Sequence, residues 1–343
     1  MNVTFINSMK MFGGAEVWQL DTAIELNKRG FKADIIAQPN TPLAQRAGTL
    51  CTEIPIRFDT APWTIFKLYN HFRSHKTNAI ICNSIKDLKA AGVAARLAGV
   101  PVVLLSRESD VPLRNRFYYR FYLNTVATGI LVNSNATLET TLESAPWLNK
   151  EKVHLLYKGI DTDRFSQTPF PDKPTLGFAG ELSARKGIPE LMQSWESVEK
   201  ELDADLLIRG AGNIDIEKWR KNLNYPERVT VEPWSDDMPD FYKRISVLVL
   251  PSFNEGFGLV AAEAMSAGKP VIASNCSSLP EVIGNCGKLV EPGDVPQLGK
   301  TIITLLSNPE ECEILGQQGR QRIEHKFNID NMLGQLELLI CRG

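Results

Sequence analysis

None of the six cysteines (Cys51, Cys82, Cys276, Cys286, Cys312, Cys341) shares a CxxC with another, and none has metal-ligand spacing. That excludes a zinc ribbon or a thioredoxin-like redox pair and leaves reduced, mostly buried thiols. A surplus of one charge is missing too: 38 basic against 40 acidic residues give a formal net charge of −2. A nucleic-acid binder would show a basic excess or stripe, so no nucleic acid is expected as partner. Long apolar runs are also lacking. The longest candidate, AAGVAARLAGVPVVLLS, is broken by Arg96, Gly99 and Pro101 and reads as a helix followed by a strand. Short-period repeats and low-complexity segments are absent, and MNVTFIN runs straight into a strand-like pattern. No leader peptide is therefore expected, and a cytoplasmic location follows as the default.

What the chain does have is a long alternation. Short runs apolar on both faces recur at 3–7, 33–37, 79–84, 101–106 and 129–134, then at 175–180, 205–210, 229–234, 247–252, 270–274 and 287–291. Helix-length amphipathic segments lie between them, such as AEVWQLDTAIELNKRG with its terminal glycine. Such runs suit the covered strands of a parallel sheet, and the alternation predicts an α/β fold. The series is interrupted once, by DTDRFSQTPFPDKPT at 161–175, whose three prolines mark a linker. At 343 residues there is room for two cores. Two doubly wound halves facing across a cleft are expected, with the strands' carboxyl ends turned towards it.

The stretch PSFNEGFGLVAAEAMSAGKPVIAS, 251–274, carries the most chemistry. VLVLPS ends a buried strand, Asn254 to Gly258 form a tight turn, and LVAAEAMSAG is a helix that stops at Gly268. The helix N-terminus, with free amides and a positive dipole end, suits an anionic or hydroxyl-rich ligand. Gly256 and Gly258 let backbone approach that ligand. Glu263 sits among Ala261, Ala262, Ala264 and Met265, where a carboxylate needs a hydrogen-bonding partner. A ribose diol offers two donors. The structural alternative pairs Glu263 with a lysine and leaves Glu255 as a solvated loop charge.

This segment resembles the signature of the retaining GT-B glycosyltransferases of glycosyltransferase family 4, with Glu255 and Glu263 as its two glutamates. The likeness extends through Ser278-Leu279-Pro280-Glu281-Val282-Ile283 and Leu289-Val290-Glu291-Pro292-Gly293-Asp294. It also takes in the glycine pair of MFGGAE (Gly13, Gly14), Lys158-Gly159-Ile160-Asp161, and Gly180 to Gly187. The resemblance implies a GT-B architecture: an acceptor domain at 1–165, a donor domain at 166–325, and a helix at 326–343 crossing back. It implies transfer of a sugar from a UDP- or GDP-sugar to a saccharide or lipid-linked saccharide, of the cell-surface polysaccharide or lipopolysaccharide type, without a metal. Glu263 would bind the ribose and Glu255 the sugar hydroxyls. The amides of Gly256, Phe257 and Gly258 would hold the sugar, and those of Leu259 and Val260 the diphosphate. Gly13 and Gly14 would close over the phosphate, and Trp234 would lie by the base. Lys186, with Arg185, would balance the departing diphosphate. Acceptor contacts are expected from Glu16, Asn83, Arg107 and Glu108, with Arg107 also counted among the catalytic residues.

Three positions depart from the pattern. Glu181 replaces the arginine of G-R-L, Arg107 stands where many members carry histidine, and Lys158 replaces the asparagine of N-G-V-D. Arg107 stays protonated and cannot act as a base; it can hold a substrate anion or pair with Glu108 and Asp110 to shape its loop. The four histidines (His71, His75, His154, His325) are read as surface or structural. Asp236-Asp237 read as a polar loop near the base pocket, not a metal pair. RNRFYYRFY, 114–122, is open to two readings: an interfacial helix in weak peripheral contact with anionic lipid, or a helix with an aromatic core face and solvated arginines. Rival functions are a GT-B sugar-nucleotide epimerase, which would need acid–base residues in the cleft, and a non-catalytic sugar-nucleotide-binding subunit. An NAD-dependent dehydrogenase would need GxGxxG after the first strand, which MFGGAE lacks.

Overall fold

The computed structural model describes residues 1–56 and 61–341. The chain divides into two compact units, Met1–Lys158 with Met332–Gly343, and Gly159–Asn331. The last two residues of the expected 326–343 helix lie outside the described residues, and that segment forms the helix Ile329–Cys341.

The first unit contains a parallel sheet of seven strands among the described residues: β1 Asn2–Asn7, β2 Lys32–Ala37, β3 Cys51–Glu53, β4 Ala79–Cys82, β5 Val102–Arg107, β6 Gly129–Val132 and β7 Val153–Leu155. Their order is β3-β2-β1-β4-β5-β6-β7. The second unit holds six parallel strands: β8 Thr175–Leu182, β9 Asp205–Gly212, β10 Val229–Glu232, β11 Val247–Leu250, β12 Val271–Ser274 and β13 Lys288–Val290, ordered β10-β9-β8-β11-β12-β13. In both sheets the order reverses beside the first strand of its unit. Ligands of open α/β sheets collect outside the strands' carboxyl ends at that switch point.

Every apolar run singled out in the sequence is a strand, because β1, β4, β5, β6, β11 and β12 are buried along most or all of their length. β3 and β7 escaped notice. Each is a three-residue edge strand whose residues are partly buried or exposed, so neither shows the two-faced apolar run of a central strand.

The expected linker turns out to be structure. The chain divides at Lys158, and 161–174 packs onto the second unit. Phe165 is buried edge-to-face against Tyr242, with ring centroids 5.8 Å apart. Ser266 Oγ donates to the Phe165 carbonyl (2.9 Å), the Thr168 amide to the Ala267 carbonyl (3.2 Å), and Lys269 Nζ to the Pro169 carbonyl (2.6 Å). Burying one aromatic ring contributes about 2 kcal/mol, so the prolines here shape a packed strap.

Candidate active site

In the second unit the turn after β11 is held from two sides. Gly258 caps the helix Leu259–Ser266 at φ 87°, ψ 51°, a left-handed conformation that favours glycine. Gly187 (φ 73°) closes the loop after β8, where an added Cβ would stand 2.0 Å from the Pro251 carbonyl oxygen. Only glycine lets those two loops touch, and the contact brings Lys186 to Glu255.

Glu255 is buried, and its Oε1 takes both an ion pair from Lys186 Nζ and a hydrogen bond from Ser252 Oγ (2.9 Å). Ser278 Oγ donates to the Glu255 carbonyl at 3.2 Å. The solvated-loop alternative for Glu255 is therefore wrong: the turn folds the carboxylate back onto a cation. Glu263 is buried too, and Tyr242 Oη donates to its Oε2 at 2.7 Å, with the Val260 carbonyl oxygen 3.2 Å from the same hydroxyl. Burial, then the nearby Glu263 charge, push the Tyr242 phenol well above its ordinary range, so it stays a donor. The lysine that the structural alternative assigned to Glu263 is matched instead by Lys186 on Glu255.

Arg185 pairs with Glu181 (Nη2 to Oε2, 2.9 Å) and donates to the Asn254 carbonyl at 3.3 Å. The residue that replaces the motif's arginine thus holds the cation expected to compensate for it. Phe257 points its ring into the core, edge-to-face with Phe327 at 5.5 Å, so only its backbone is on offer at the turn. Leu259 and Val260 open the helix half-buried. Their amides belong to the first turn, which has no intrahelical acceptors. Trp234 is half-buried after β10, and its indole Nε1–H is buried without a hydrogen-bond partner among the described residues. Nearby, Asp237 caps the helix Met238–Lys243 by accepting from the Asp240 amide.

A second polar cluster lies in the first unit at the carboxyl ends of β1, β4 and β5. Gly13 caps the helix Gly14–Lys28, and its amide donates to Glu16 Oε2 at 3.0 Å, half of a capping box. Glu16 Oε1 accepts from Asn7 Nδ2 (3.0 Å) and Asn83 Nδ2 (3.4 Å). Gly13 itself is extended, with no positive φ and only ordinary contact for an added Cβ. Burial raises the Glu16 carboxyl, opposed by the Asn7 and Gly13 bonds.

Glu108 does not pair with Arg107. It accepts from Ser106 Oγ and forms an ion pair with Lys158, whose Nζ lies 2.7 Å from each of its oxygens. Lys158 is 3% exposed and sits 3.3 Å above the centre of the Trp18 ring. Burial lowers its pKa, against the raising effect of Glu108. Arg107 instead curls over its own loop, donating from Nη2 to the Val111 carbonyl while Nε stays buried without a hydrogen-bond partner among the described residues. Burial brings its pKa down to about 10, still protonated at neutral pH.

Sequence reasoning flagged Lys158 only as a departure and missed Tyr242, Ser252 and Asn7. Tyr242 belongs to no motif. Glu16 did carry a signal, an acid three residues after the N-cap position. In 114–122 the structure splits the two readings: Tyr119 and Tyr122 pack against the core, while Phe117 and Phe121 are 85% and 52% exposed beside exposed Arg116 and Arg120. No helix of the described residues is long and apolar enough to cross a membrane.

The sequence and the fold match those of known proteins. A family model described as Glycosyltransferase Family 4 matches residues 12–164, and one described as Glycosyl transferases group 1 matches 159–322. The capsular polysaccharide biosynthesis glycosyltransferase CapM of Staphylococcus aureus is 32% identical over 197 residues, 55% of this chain and 49% of CapM. The O-antigen chain mannosyltransferase B of Escherichia coli is 35% identical over 170 residues, 46% of this chain and 43% of that protein. The chain thus spans about half the length of these relatives. With the Escherichia coli UDP-Gal:alpha-D-GlcNAc-diphosphoundecaprenol alpha-1,3-galactosyltransferase it shares 23% identity, over 96% of this chain and 94% of the other. Among solved structures, a glycosyltransferase from Rickettsia africae ESF-5 superposes with a TM-score of 0.85 at 18% identity, covering 98% of this chain and 97% of that one. Anabaena Alr3699/HepE in complex with UDP gives 0.82 at 18%, covering both chains fully.

Proposed function

Because the chain belongs to the group 1 glycosyltransferases, a family of GT-B fold, we propose that it transfers a sugar from a nucleoside diphosphate sugar to a saccharide or lipid-linked saccharide. The transfer retains the anomeric configuration and needs no divalent metal. One observation carries this reading: the Lys186–Glu255 ion pair lies against the glycine turn at the N-terminus of Leu259–Ser266, with Glu263 in the same helix.

In this mechanism the diphosphate takes the first-turn amides of Leu259 and Val260, where the helix dipole favours an anion. Lys186 turns from Glu255 to the phosphate as negative charge develops there. Glu255, relieved of its cation, accepts from the sugar hydroxyls, whose ring packs on the backbone of Gly256 to Gly258. Glu263, fixed by Tyr242, takes the ribose, and Trp234 Nε1 is a donor beside the base. The bond from the anomeric carbon to the phosphate oxygen breaks, and the acceptor oxygen attacks from the same face. Its proton passes to the departing oxygen, so no protein base is consumed. Rate comes from charge stabilisation and positioning.

The acceptor is assigned to Glu16, Asn83, Arg107 and Glu108 of the first unit. UDP-sugars are the first donors to try, since Alr3699/HepE holds UDP and the named galactosyltransferase uses UDP-Gal. A cell-surface polysaccharide or lipopolysaccharide product fits the relatives' names, and the same reading puts the reaction in the cytoplasm at the inner membrane face. Phe117 and Phe121 supply a weak lipid contact.

Calorimetric titration of UDP and GDP, in the presence of EDTA, tests the donor site. One nucleotide should bind to the wild type and at least about tenfold more weakly to Glu263→Ala. If neither binds, or the variant binds equally well, the donor site is wrong.

A further inference from the structure

We propose that Asp34, His71 and His75 form a binding site for one zinc ion in the first unit, distinct from the residues assigned to sugar transfer. The three come from two elements. Asp34 is the third residue of β2, in register with Thr4 of β1. His71 lies in the last turn of the helix Pro62–Ser74, and His75 is its C-cap residue. Histidines four apart share a helix face. Here their rings stack with centroids 3.9 Å apart and planes 13° from parallel, so their in-plane lone pairs run side by side, and an ion between them turns the exposed His75 ring out of the stack. One ligand atom from each of the three residues lies within 4.8 Å of the others. Two imidazoles and a carboxylate make a borderline-soft donor set suited to zinc, and three protein ligands leave the fourth tetrahedral position to water.

The hydrogen bonds at the three residues say how each would meet the ion. His75 Nδ1 lies 2.9 Å from the His71 carbonyl oxygen and 3.0 Å from Ser74 Oγ, whose own hydrogen goes to that carbonyl at 3.0 Å, so both neighbours accept and the bonds fit the tautomer with its lone pair on Nε2. That contact keeps His75 in the stack, and the ion replaces it when the ring turns. Asp34 is oriented in turn, because Thr4 Oγ1 donates to its Oδ1 at 2.7 Å and leaves Oδ2 facing His71 Nε2 at 2.7 Å. Zinc bonded to Nε2 and Oδ2 at 2.0–2.1 Å would hold them about 3.3 Å apart in a tetrahedron. The ion therefore fits by widening that contact by about half an ångström, and its binding displaces the shared proton to solvent. His75 is exposed and provides the entry. The neighbouring cations Arg73 and Lys76 are exposed as well and can turn into water.

The site lies towards the amino end of β1 and β2, whereas Asn7 and Glu16 mark the carboxyl end. The ion would tie β2 to the helix Pro62–Ser74 as a clip. Of the four histidines, only this pair has helical metal-ligand spacing, so the signal was present in HFRSH.

Zinc chloride titrated into the untagged full chain tests the site, read by calorimetry and by thermal unfolding. One equivalent should bind and raise Tm. His75→Ala, a change at an exposed residue, and Asp34→Asn should each weaken binding at least about tenfold and remove the Tm rise. Absence of a saturable single-equivalent event overturns the proposal, as does zinc binding that both variants retain within about twofold. Magnesium chloride should produce no saturable binding; saturable binding there would mark a non-selective acidic site and overturn it too.

Discussion

Tyr242 donates its phenol hydrogen to Glu263 at 2.7 Å, joining the helix before β11 to the helix after it. Neither residue reaches solvent to any extent, at 0% and 8% exposure. Removing the donor therefore withdraws a charge-assisted bond from a buried carboxylate. Tyr242→Phe should cost about 1.5–3 kcal/mol, seen as a fall in Tm. Nucleotide affinity should fall less than in Glu263→Ala, because the ribose-binding carboxylate is still present. Calorimetry on both variants checks the order, and equal affinities in the two would show that the tyrosine does the binding.

Lys186 and Glu255 compensate one another in the resting site. Lys186→Met strands a buried carboxylate and removes the cation for the leaving group. It should lower both stability and kcat, the latter by about 10²–10³-fold. Adding Glu255→Gln removes the stranded charge, so the double variant should regain most of the stability and none of the turnover. Urea midpoints beside steady-state rates separate the two effects. Recovery of turnover in the double variant would leave Lys186 a purely structural role.

Glu181 holds Arg185 in a half-exposed pair, so its effect is on local charge rather than on the fold. Glu181→Arg should leave Tm nearly unchanged and tighten UDP binding several-fold, with a steeper salt dependence, since two cations replace a neutral pair. An unchanged affinity would place 181 outside the phosphate's field.

How far the sequence disclosed this molecule depends on the kind of residue. The central strands were legible because burial on both faces leaves an unbroken apolar run, as in VTFIN or VLVL. The edge strands Cys51–Glu53 and Val153–Leu155 leave no such trace. Glu255 and Glu263 were legible as carboxylates in an apolar setting that demanded partners. The partners were not: Lys186 and Tyr242 lie 69 and 21 residues away in sequence, joined only by sheet order. The prolines at 169, 171 and 174 signalled irregular backbone correctly, but not that Phe165 and Lys269 would pin it down.

Lys158 shows the same limit at the first unit's cluster. The sequence marked it as odd, and the structure gives it Glu108 and the face of Trp18 as partners. Lys158→Met should be strongly destabilising, by about 3–5 kcal/mol, because Glu108 loses its counter-charge inside the protein. Lys158→Met with Glu108→Gln should recover much of that loss. Chemical denaturation of these two variants and of Glu108→Gln alone gives the coupling directly. Equal losses in the single and double variants would mean that the pair is not coupled.

Asp87 offers a test by pH. It is fully buried after β4, accepting from the Ser8 amide at 3.1 Å and from Ser84 Oγ at 2.7 Å. Burial raises its pKa to about 6 despite those bonds. The unfolded chain would titrate this group near 3.9. Between those values the folded state holds a proton that the unfolded state has lost, so this group's contribution to stability is full below about pH 4 and falls as pH rises through about 6. Asp87→Asn stays neutral throughout and escapes that loss. Its stability relative to the wild type should therefore improve between pH 4 and pH 7, by about 2–3 kcal/mol. Urea unfolding of both proteins across that range measures the difference. A pH-independent gap would mean that Asp87 is ionised in the folded protein over the whole interval, with its two hydrogen bonds outweighing its burial.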